Sequence, residues 1–121
     1  DAYFNNIKDK IISVGEKSKI NLSSIKAINS FVGIVSKDGS NVYSDNLSFD
    51  GVLIPFAAYQ KKKEYKHGTL FVKNFSLNNF STKWIKDKNS KIIINDIPIE
   101  NETQKIISII YEKKISLLKN N

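Results

Sequence analysis

Cysteine is absent from this 121-residue chain, which excludes a disulfide scaffold, thiolate zinc sites and thiol nucleophiles. Arginine is absent too, so all 19 basic residues are lysine. The guanidinium fork is the usual means of bidentate contact with guanine edges and phosphates, whereas lysine offers a mobile point charge. The sequence therefore argues against base-specific reading of DNA and leaves attraction to polyanions open.

Long hydrophobic runs and catalytic motifs are also missing. No apolar run approaches the roughly 18 residues of a membrane-spanning helix, and His67 is the single histidine. There is no nucleophile elbow, phosphate-binding glycine loop, dinucleotide fingerprint or histidine pair. We therefore expect a protein that is not an enzyme, with no catalytic residue, no metal site and no cofactor. The 40% hydrophobic and 11% aromatic contents indicate one folded domain over residues 1–121.

Positive charge is concentrated in one quarter of the chain. Residues 61–91 hold nine lysines against Glu64 and Asp87, a balance of +7 that equals the net charge of the whole chain. The remaining residues carry as many acidic side chains as lysines. This asymmetry predicts a basic surface contributed by one region.

Apolar spacing predicts an amphipathic helix at each end of the chain. Residues 1–14 repeat apolar side chains at helical intervals before Gly15, and residues 106–118 do so after a capping box at 101–104. The apolar residues of the first helix are Tyr3, Phe4, Ile7, Ile11 and Ile12. Those of the second are Ile106, Ile107, Ile110, Tyr111, Ile115, Leu117 and Leu118.

The residues between these ends predict β-structure. Asp38-Gly39 tolerates the positive φ angles of a type I′ turn, and apolar segments flank it, so we expect a β-hairpin there. A second hairpin is expected from residues 82–85 and 91–97 around the turn 86–90. Thr69–Phe75 alternates as a strand, with Phe71, Lys73 and Phe75 on one face.

The other segments predict irregular structure. Residues 44–51 form a polar loop and 60–68 a lysine-rich loop, while Pro55 indicates an edge strand or irregular piece over 52–59. We find no internal repeat. The sequence thus predicts an α+β domain in which an antiparallel sheet of about five strands is covered by an N-terminal and a C-terminal amphipathic helix.

The basic region also carries aromatic residues, and this combination suggests a binding face. Lysines attract polyanions, and interleaved aromatic rings suit stacking. The alternative interpretation is that the aromatics are core residues and the lysines a solvated edge. We predict a non-catalytic interaction domain whose partner is an acidic protein, polysaccharide, lipid surface or non-specific nucleic acid. The candidate binding residues are Lys61, Lys62, Lys63, Lys66, Lys73, Lys83, Lys86, Lys88, Lys91, Tyr65 and Trp84.

A less favoured alternative is a metal-dependent nuclease. Asp50 followed by Glu64-Tyr65-Lys66 resembles the two-strand metal site of many DNA-cleaving enzymes. Such a site needs paired carboxylates for a divalent cation and a lysine near the attacking water. The resemblance is confined to this fragment, since Lys61-Lys62-Lys63 stands where an apolar strand should lead into the glutamate.

Two further resemblances rest on the segment Ser30–Gly39 followed by Asn41-Val42-Tyr43. This segment looks like the Asp-Gly hairpin of extracytoplasmic PAS-like sensor domains, which implies a ligand-sensing domain. With Asp1-Ala2-Tyr3-Phe4 before it and a closing helix, it is also similar to profilin-like interaction modules. The chain opens at Asp1, as a processed protein or an excised piece would. These features favour an extracytoplasmic or secreted protein.

Overall fold

The computed structural model describes residues 1–100 and Ile110, and in residues 1–100 it contains strands and no helix. The predicted α+β class, with its antiparallel sheet, is therefore wrong. The chain forms one eight-stranded sheet in which every strand pair is parallel except the last. The strands are β1 (Ala2–Asn5), β2 (Lys10–Val14), β3 (Lys19–Lys37), β4 (Asn41–Tyr59), β5 (Thr69–Asn78), β6 (Trp84–Lys86), β7 (Lys91–Ile94) and β8 (Ile97–Pro98).

The two longest strands show how the chain is wound. β3 and β4 have 19 residues each, are linked by three residues, and pair in parallel from Lys19↔Asn41 to Lys37↔Tyr59. A straight strand of that length would extend about 60 Å, whereas the link spans at most about 14 Å. The strands can pair in parallel only because each one bends and the chain returns to the point above its start. Residues that occupy the same place in successive circuits, such as Ser24 and Asn46, are therefore 22 residues apart. Successive circuits stack as coils, so the fold is a parallel β-solenoid, and the prediction of no repeat is wrong.

Residues with positive φ lie at most of the corners between the straight parts of the coils. Left-handed backbone favours glycine and, among other residues, asparagine, and six asparagines of the described residues have positive φ. The first corner consists of Ser24, Asn46 and Asn74, and the second of Asn29, Gly51 and Asn79. The third corner consists of Gly15–Ser18, Lys37–Ser40 and Asp87–Ser90, where Glu16, Lys17, Asp38 and Gly39 have positive φ.

Three walls connect these corners. The first wall contains residues 19–23, 41–45, 69–73 and 91–94, and the second contains 2–5, 25–28, 47–50 and 75–78. The third wall contains residues 10–14, 30–37, 52–59 and 84–86. Side chains that point inward from all three walls, such as Val42, Phe49 and Phe56, form one buried cluster.

The β3 and β4 parts of the third wall are buried on both faces. Ile34 and Phe56 join the interior cluster, while Val35 and Ala57 belong to a second cluster that includes the fully buried Ile110. Apart from Ile110, the predicted C-terminal helix lies outside the described residues.

The predicted N-terminal helix is wrong, because residues 1–14 form β1 and β2. Asn6, with φ 61°, turns the chain between the two strands. A strand alternates its side chains with a period of two, and a corner shifts that alternation. The shifted pattern imitates helical spacing: Phe4 and Ile12 pack against the interior while Tyr3 is exposed.

The Asp38-Gly39 turn is confirmed, but the hairpin is wrong. Asp38 and Gly39 have φ of 53° and 80°, and Ser40 N donates to Lys37 O at 3.1 Å. The turn joins one coil to the next, so the strands on either side pair in parallel. The second predicted hairpin fails in the same way, because β6 pairs with β4 and β7 pairs with β5.

Residues 44–59 also differ from the prediction. The expected polar loop at 44–51 and the expected edge piece at 52–59 are both parts of β4. The ladder between β3 and β4 skips the Gly33–Pro55 position, which accommodates a residue without an N–H. A Cβ at Gly33 would lie 2.3 Å from Pro55 O, so glycine admits the proline backbone.

The strand predicted at 69–75 is confirmed and extends to Asn78 as β5. Leu70 and Val72 point inward, and Phe71 faces outward, where it stacks on Tyr43 with ring centroids 4.5 Å apart. Phe75 does not share that outward face. It packs against the interior, because the Asn74 corner reverses the alternation.

Candidate functional site

The lysine-rich segment at 60–68, named here the lysine loop, is an insertion at the third corner. Lys19 pairs with Asn41 at the regular interval of 22 residues, whereas Asn41 pairs with Thr69 after 28. The next step, from Thr69 to Lys91, returns to the regular interval. The six additional residues therefore lie in the lysine loop, and the coil register resumes immediately after it. The predicted loop at these residues is confirmed.

Two aspartates from the neighbouring coils hold the backbone of the lysine loop. Asp38 Oδ1 accepts hydrogen bonds from Lys61 N and Lys62 N, both at 2.8 Å. Asp87 Oδ2 accepts from Gln60 N at 2.8 Å, and Asp87 Oδ1 lies 3.2 Å from His67 Nδ1. Charge-assisted bonds to backbone amides are strong, so the start of the loop has a fixed path.

The loop ends in a tightly packed set of small residues. A Cβ at Gly68 would lie 2.0 Å from Ser36 O, so only glycine fits without moving the backbone. Gly68 N donates to Ser90 Oγ at 3.2 Å, and Ser36 Oγ donates to Thr69 O at 2.7 Å. Both ends of the loop are thus fastened to the coils on either side.

The outer side of the lysine loop presents positive charge. The exposed lysines there are Lys61, Lys62, Lys63 and Lys66, and Lys88 is exposed at the same corner. Lys62 Nζ donates to the Glu16 carboxylate, which raises the pKa of Lys62 above its ordinary value. Tyr65 is half-buried, and Lys17 Nζ and Lys62 Nζ lie 5.9 and 6.0 Å from its ring centroid.

Four of the predicted lysines do not lie on this surface. Lys73 and Lys91 are exposed on the first wall, where Lys73 Nζ lies 3.4 Å from Asp96 Oδ1. Lys86 is buried on the third wall, and its Nζ donates to Asp87 O at 3.2 Å. Lys83 Nζ lies over Trp84, 4.9 Å from the ring centroid. Trp84 itself packs against the interior, which agrees with its interpretation as a core residue.

Sequence reasoning missed two lysines that the fold brings to the loop. Lys17 and Lys37 belong to the charge-balanced part of the chain, yet both lie at the third corner. The signal that could have found them is the recurrence of a serine-ended turn at Gly15–Ser18, Lys37–Ser40 and Asp87–Ser90. Its first two copies lie one coil apart, which places Lys17 beside Gly39 in the stack.

The residues proposed for a nuclease site are not assembled. Asp50 lies in β4 and accepts a hydrogen bond from Asn79 Nδ2 at 2.8 Å, at the second corner. Glu64 and Lys66 lie in the lysine loop, at the third. Within residues 1–100 and Ile110, no group of three or more histidine, cysteine, aspartate or glutamate side chains is positioned to hold a metal ion.

Comparison of the chain with protein-family models, curated proteins and solved structures finds no match. The PAS-like and profilin-like resemblances implied an antiparallel hairpin at Asp38-Gly39, and the parallel pairing of β3 with β4 removes their basis. In the described part of the chain, no helix has the length and apolar character needed to cross a membrane.

Proposed function

We propose that this protein is a non-catalytic binding module that contacts an acidic macromolecule through the lysine loop. The single observation that supports the proposal is that exposed lysines project from a loop whose backbone is held by Asp38 and Asp87. Lysines on a backbone that is already held in place lose less conformational freedom on binding than lysines on a flexible tail.

The fold does not need this loop to turn the corner. At the equivalent place one coil earlier, Lys37–Ser40 makes the turn in four residues. Insertions into the coils of repeat proteins lie in loops on one face, which is often the binding face. An insertion that adds four lysines and one acidic residue, Glu64, is therefore better explained by a partner than by stability.

The chemistry of the loop favours recognition of charge over recognition of shape. Lysine ammonium groups are point charges on flexible stems and do not form the bidentate contacts of arginine. Lys17 and Lys88 extend the charged surface beyond the loop itself. The partner is accordingly one that carries many negative charges, and its binding should weaken steeply as salt releases counterions.

Retention on a sulfated-dextran column, eluted with a salt gradient, tests the proposal. Replacing Lys61, Lys62 and Lys63 by glutamate should move elution to much lower salt. The matched control replaces Lys19, Lys26 and Lys91, three exposed wall lysines, by glutamate and makes the same change in net charge. We expect the control to elute close to the parent. Equal shifts for the two variants would show that net charge alone governs retention and would contradict the proposal.

A further inference from the structure

A surface cavity of about 520 Å³ lies on the outer face of the first wall, toward the first corner. Residues of successive coils line it, and no residue of the lysine loop does. Its volume falls in the range of roughly 300–1,000 Å³ in which ligand sites are found. The cavity combines two aromatic rings with polar and charged side chains, among them Tyr43, Phe71, Asn21, Asp45, Lys73 and Asp96.

The aromatic side of this cavity is formed by Tyr43 and Phe71. The two residues are paired in the register of β4 and β5, and their rings stack with an interplanar angle of 3°. Asn21, the partner of Tyr43 one coil earlier, has a smaller side chain. Lys19 Nζ lies 5.5 Å from the Tyr43 ring centroid, yet 38% of Tyr43 remains exposed. Apolar ring surface is therefore accessible to a ligand.

The polar side of the cavity offers hydrogen-bonding groups that solvent can reach. Asp45 is exposed, and its Oδ1 accepts a hydrogen bond from Asn74 Nδ2 at 2.7 Å. Lys73 Nζ lies 3.4 Å from Asp96 Oδ1, and both side chains are exposed. A carboxylate has about four acceptor sites and an ammonium group has three donors, so these contacts hold the side chains in place without using up their capacity.

The charges around the cavity nearly balance, which distinguishes it from the lysine loop. Asp45 and Asp96 face one lining lysine, Lys73, and Lys19 is the second cation nearby. A strongly charged ligand of either sign would therefore gain little, whereas hydroxyl groups can donate to the carboxylates and accept from the ammonium. An extended peptide is disfavoured, because it would add to an unpaired sheet edge and β4 and β5 are paired on both sides here.

We propose that this cavity binds a neutral sugar chain. The C–H bonds of a sugar ring pack against Tyr43 and Phe71, and its hydroxyl groups bond Asp45 and Lys73. A neutral sugar suits the cavity because one rigid ring carries both apolar C–H surface and several hydroxyl groups. The inference goes beyond the proposed function, since it assigns a second site with a different ligand chemistry to another part of the molecule.

Native electrophoresis tests the assignment, in gels that each contain hydroxyethylcellulose, glucomannan, galactomannan or dextran. The parent should be retarded by at least one of these neutral polysaccharides, and its mobility at several polysaccharide concentrations gives a dissociation constant. Tyr43→Ala should bind about tenfold more weakly, because it removes apolar contact surface. The matched control is Tyr3→Ala, which removes an exposed tyrosine of β1 outside the cavity and should bind as the parent does.

A second variant tests the polar side of the cavity. Asp45→Asn keeps an oxygen for Asn74 and removes the charged acceptor, so binding should weaken about fivefold in a protein that stays folded. A parent that none of the four gels retards, or cavity variants that bind as tightly as Tyr3→Ala, would overturn the sugar site.

The two proposed sites can fail separately. Replacing Lys61, Lys62 and Lys63 by glutamate should leave the dissociation constant for the neutral polysaccharide unchanged. Tyr43→Ala should in turn elute from sulfated dextran with the parent. If Tyr43→Ala eluted at much lower salt, the cavity would belong to the anion-binding surface and the assignment of a separate neutral site would be wrong.

Discussion

The third corner occurs in two forms that can be compared directly. Between β3 and β4 the chain turns through Lys37–Ser40, while between β4 and β5 it makes the same turn through the lysine loop, residues 60–68. The walls on either side of both forms keep the same parallel register. Additional residues are therefore inserted at the corner, and the walls keep a constant length.

The reason lies in what each region must satisfy. A wall residue must pair with the coils before and after it, and a shift of one residue would turn its inward side chain outward. A corner only has to return the chain to the next wall. The loop does this with its first residues bonded to Asp38 and Asp87 and its last residue packed under Ser36. Function can vary at the corner without disturbing the core.

The largest effect that tests this comparison is expected at Gly68, where the loop rejoins the wall. In Gly68→Ala the new methyl group would meet the backbone oxygen of Ser36, so we expect a loss of about 3 kcal/mol of unfolding free energy. Gly15→Ala is the matched control at the same corner. Its Cβ would meet only the flexible side chain of Lys37, at 3.2 Å, and should change stability by less than about 0.5 kcal/mol. Urea unfolding measures both, and equal losses would contradict the close approach at Gly68.

Removing the hydrogen bonds that Asp87 accepts should cause the next largest loss of stability. Asp87→Ala deprives Gln60 N and Ser90 N of their acceptor, at 2.8 and 3.1 Å, and should lower the unfolding free energy by about 2 kcal/mol. Glu64→Ala, which removes an exposed carboxylate of the lysine loop itself, is expected to cost less than about 0.5 kcal/mol. A difference of less than about 0.5 kcal/mol between the two in urea unfolding would mean that Asp87 does not hold the loop.

At the first corner, which carries no insertion, the effect of a substitution on stability should depend chiefly on whether the new residue tolerates left-handed backbone. Asn74 has φ 53°, so Asn74→Ala should cost about 1 kcal/mol, because alanine resists left-handed backbone. Asn74→Gly should restore most of that loss, although it also removes the 2.7 Å bond from Nδ2 to Asp45 Oδ1. Thermal unfolding of the two variants gives the comparison, and a glycine variant less stable than the alanine variant would refute the assignment of this corner.

The smallest change in stability is expected when the exposed ion pair between Lys62 and Glu16 is removed. Glu16 raises the pKa of Lys62, so the pair stabilises the fold while Lys62 is protonated. This contribution is lost as the pH rises through the raised pKa. Lys62→Gln should therefore leave the urea midpoint at pH 7 and high salt unchanged within error. A clear destabilisation under those conditions would mean that the pair holds the loop in place.

Some local features of this fold could be predicted from the sequence, but the pairing between distant strands could not. The positive φ angles of Asp38 and Gly39 and the strand at Thr69–Phe75 were predictable from turn chemistry and alternation. The helix predicted over 1–14 failed because a corner at Asn6 shifts the alternation of a strand toward helical spacing. Pro55 was misread because its missing N–H is tolerated at a skipped rung of the ladder.

The candidate site was predictable only in part. The exposed lysines at 61–63 and 66 follow from composition, and the structure places them together. The sequence did not indicate the contacts of Lys83 and Lys86. Lys83 Nζ lies over the Trp84 ring, and Lys86 is buried with its Nζ donating to Asp87 O. Asp38 was read only as a turn residue, because its role depends on the amide of Lys61, which comes 23 residues later in the chain.

Grafting the short corner in place of the long one tests whether the lysine loop is an insertion that binds the partner and that the fold does not need. Residues 60–67 are replaced by Asp-Gly, the dipeptide at positions 38 and 39, so that Gly68 is kept and the wall-to-wall spacing becomes that of the coils on either side. The measurement is the salt concentration at which this variant elutes from sulfated dextran, on protein shown to unfold cooperatively. We predict a cooperatively folded protein that elutes at far lower salt than the parent. A variant that cannot fold would show that the solenoid needs the loop. A variant that folds and elutes with the parent would show that the loop is not the binding surface.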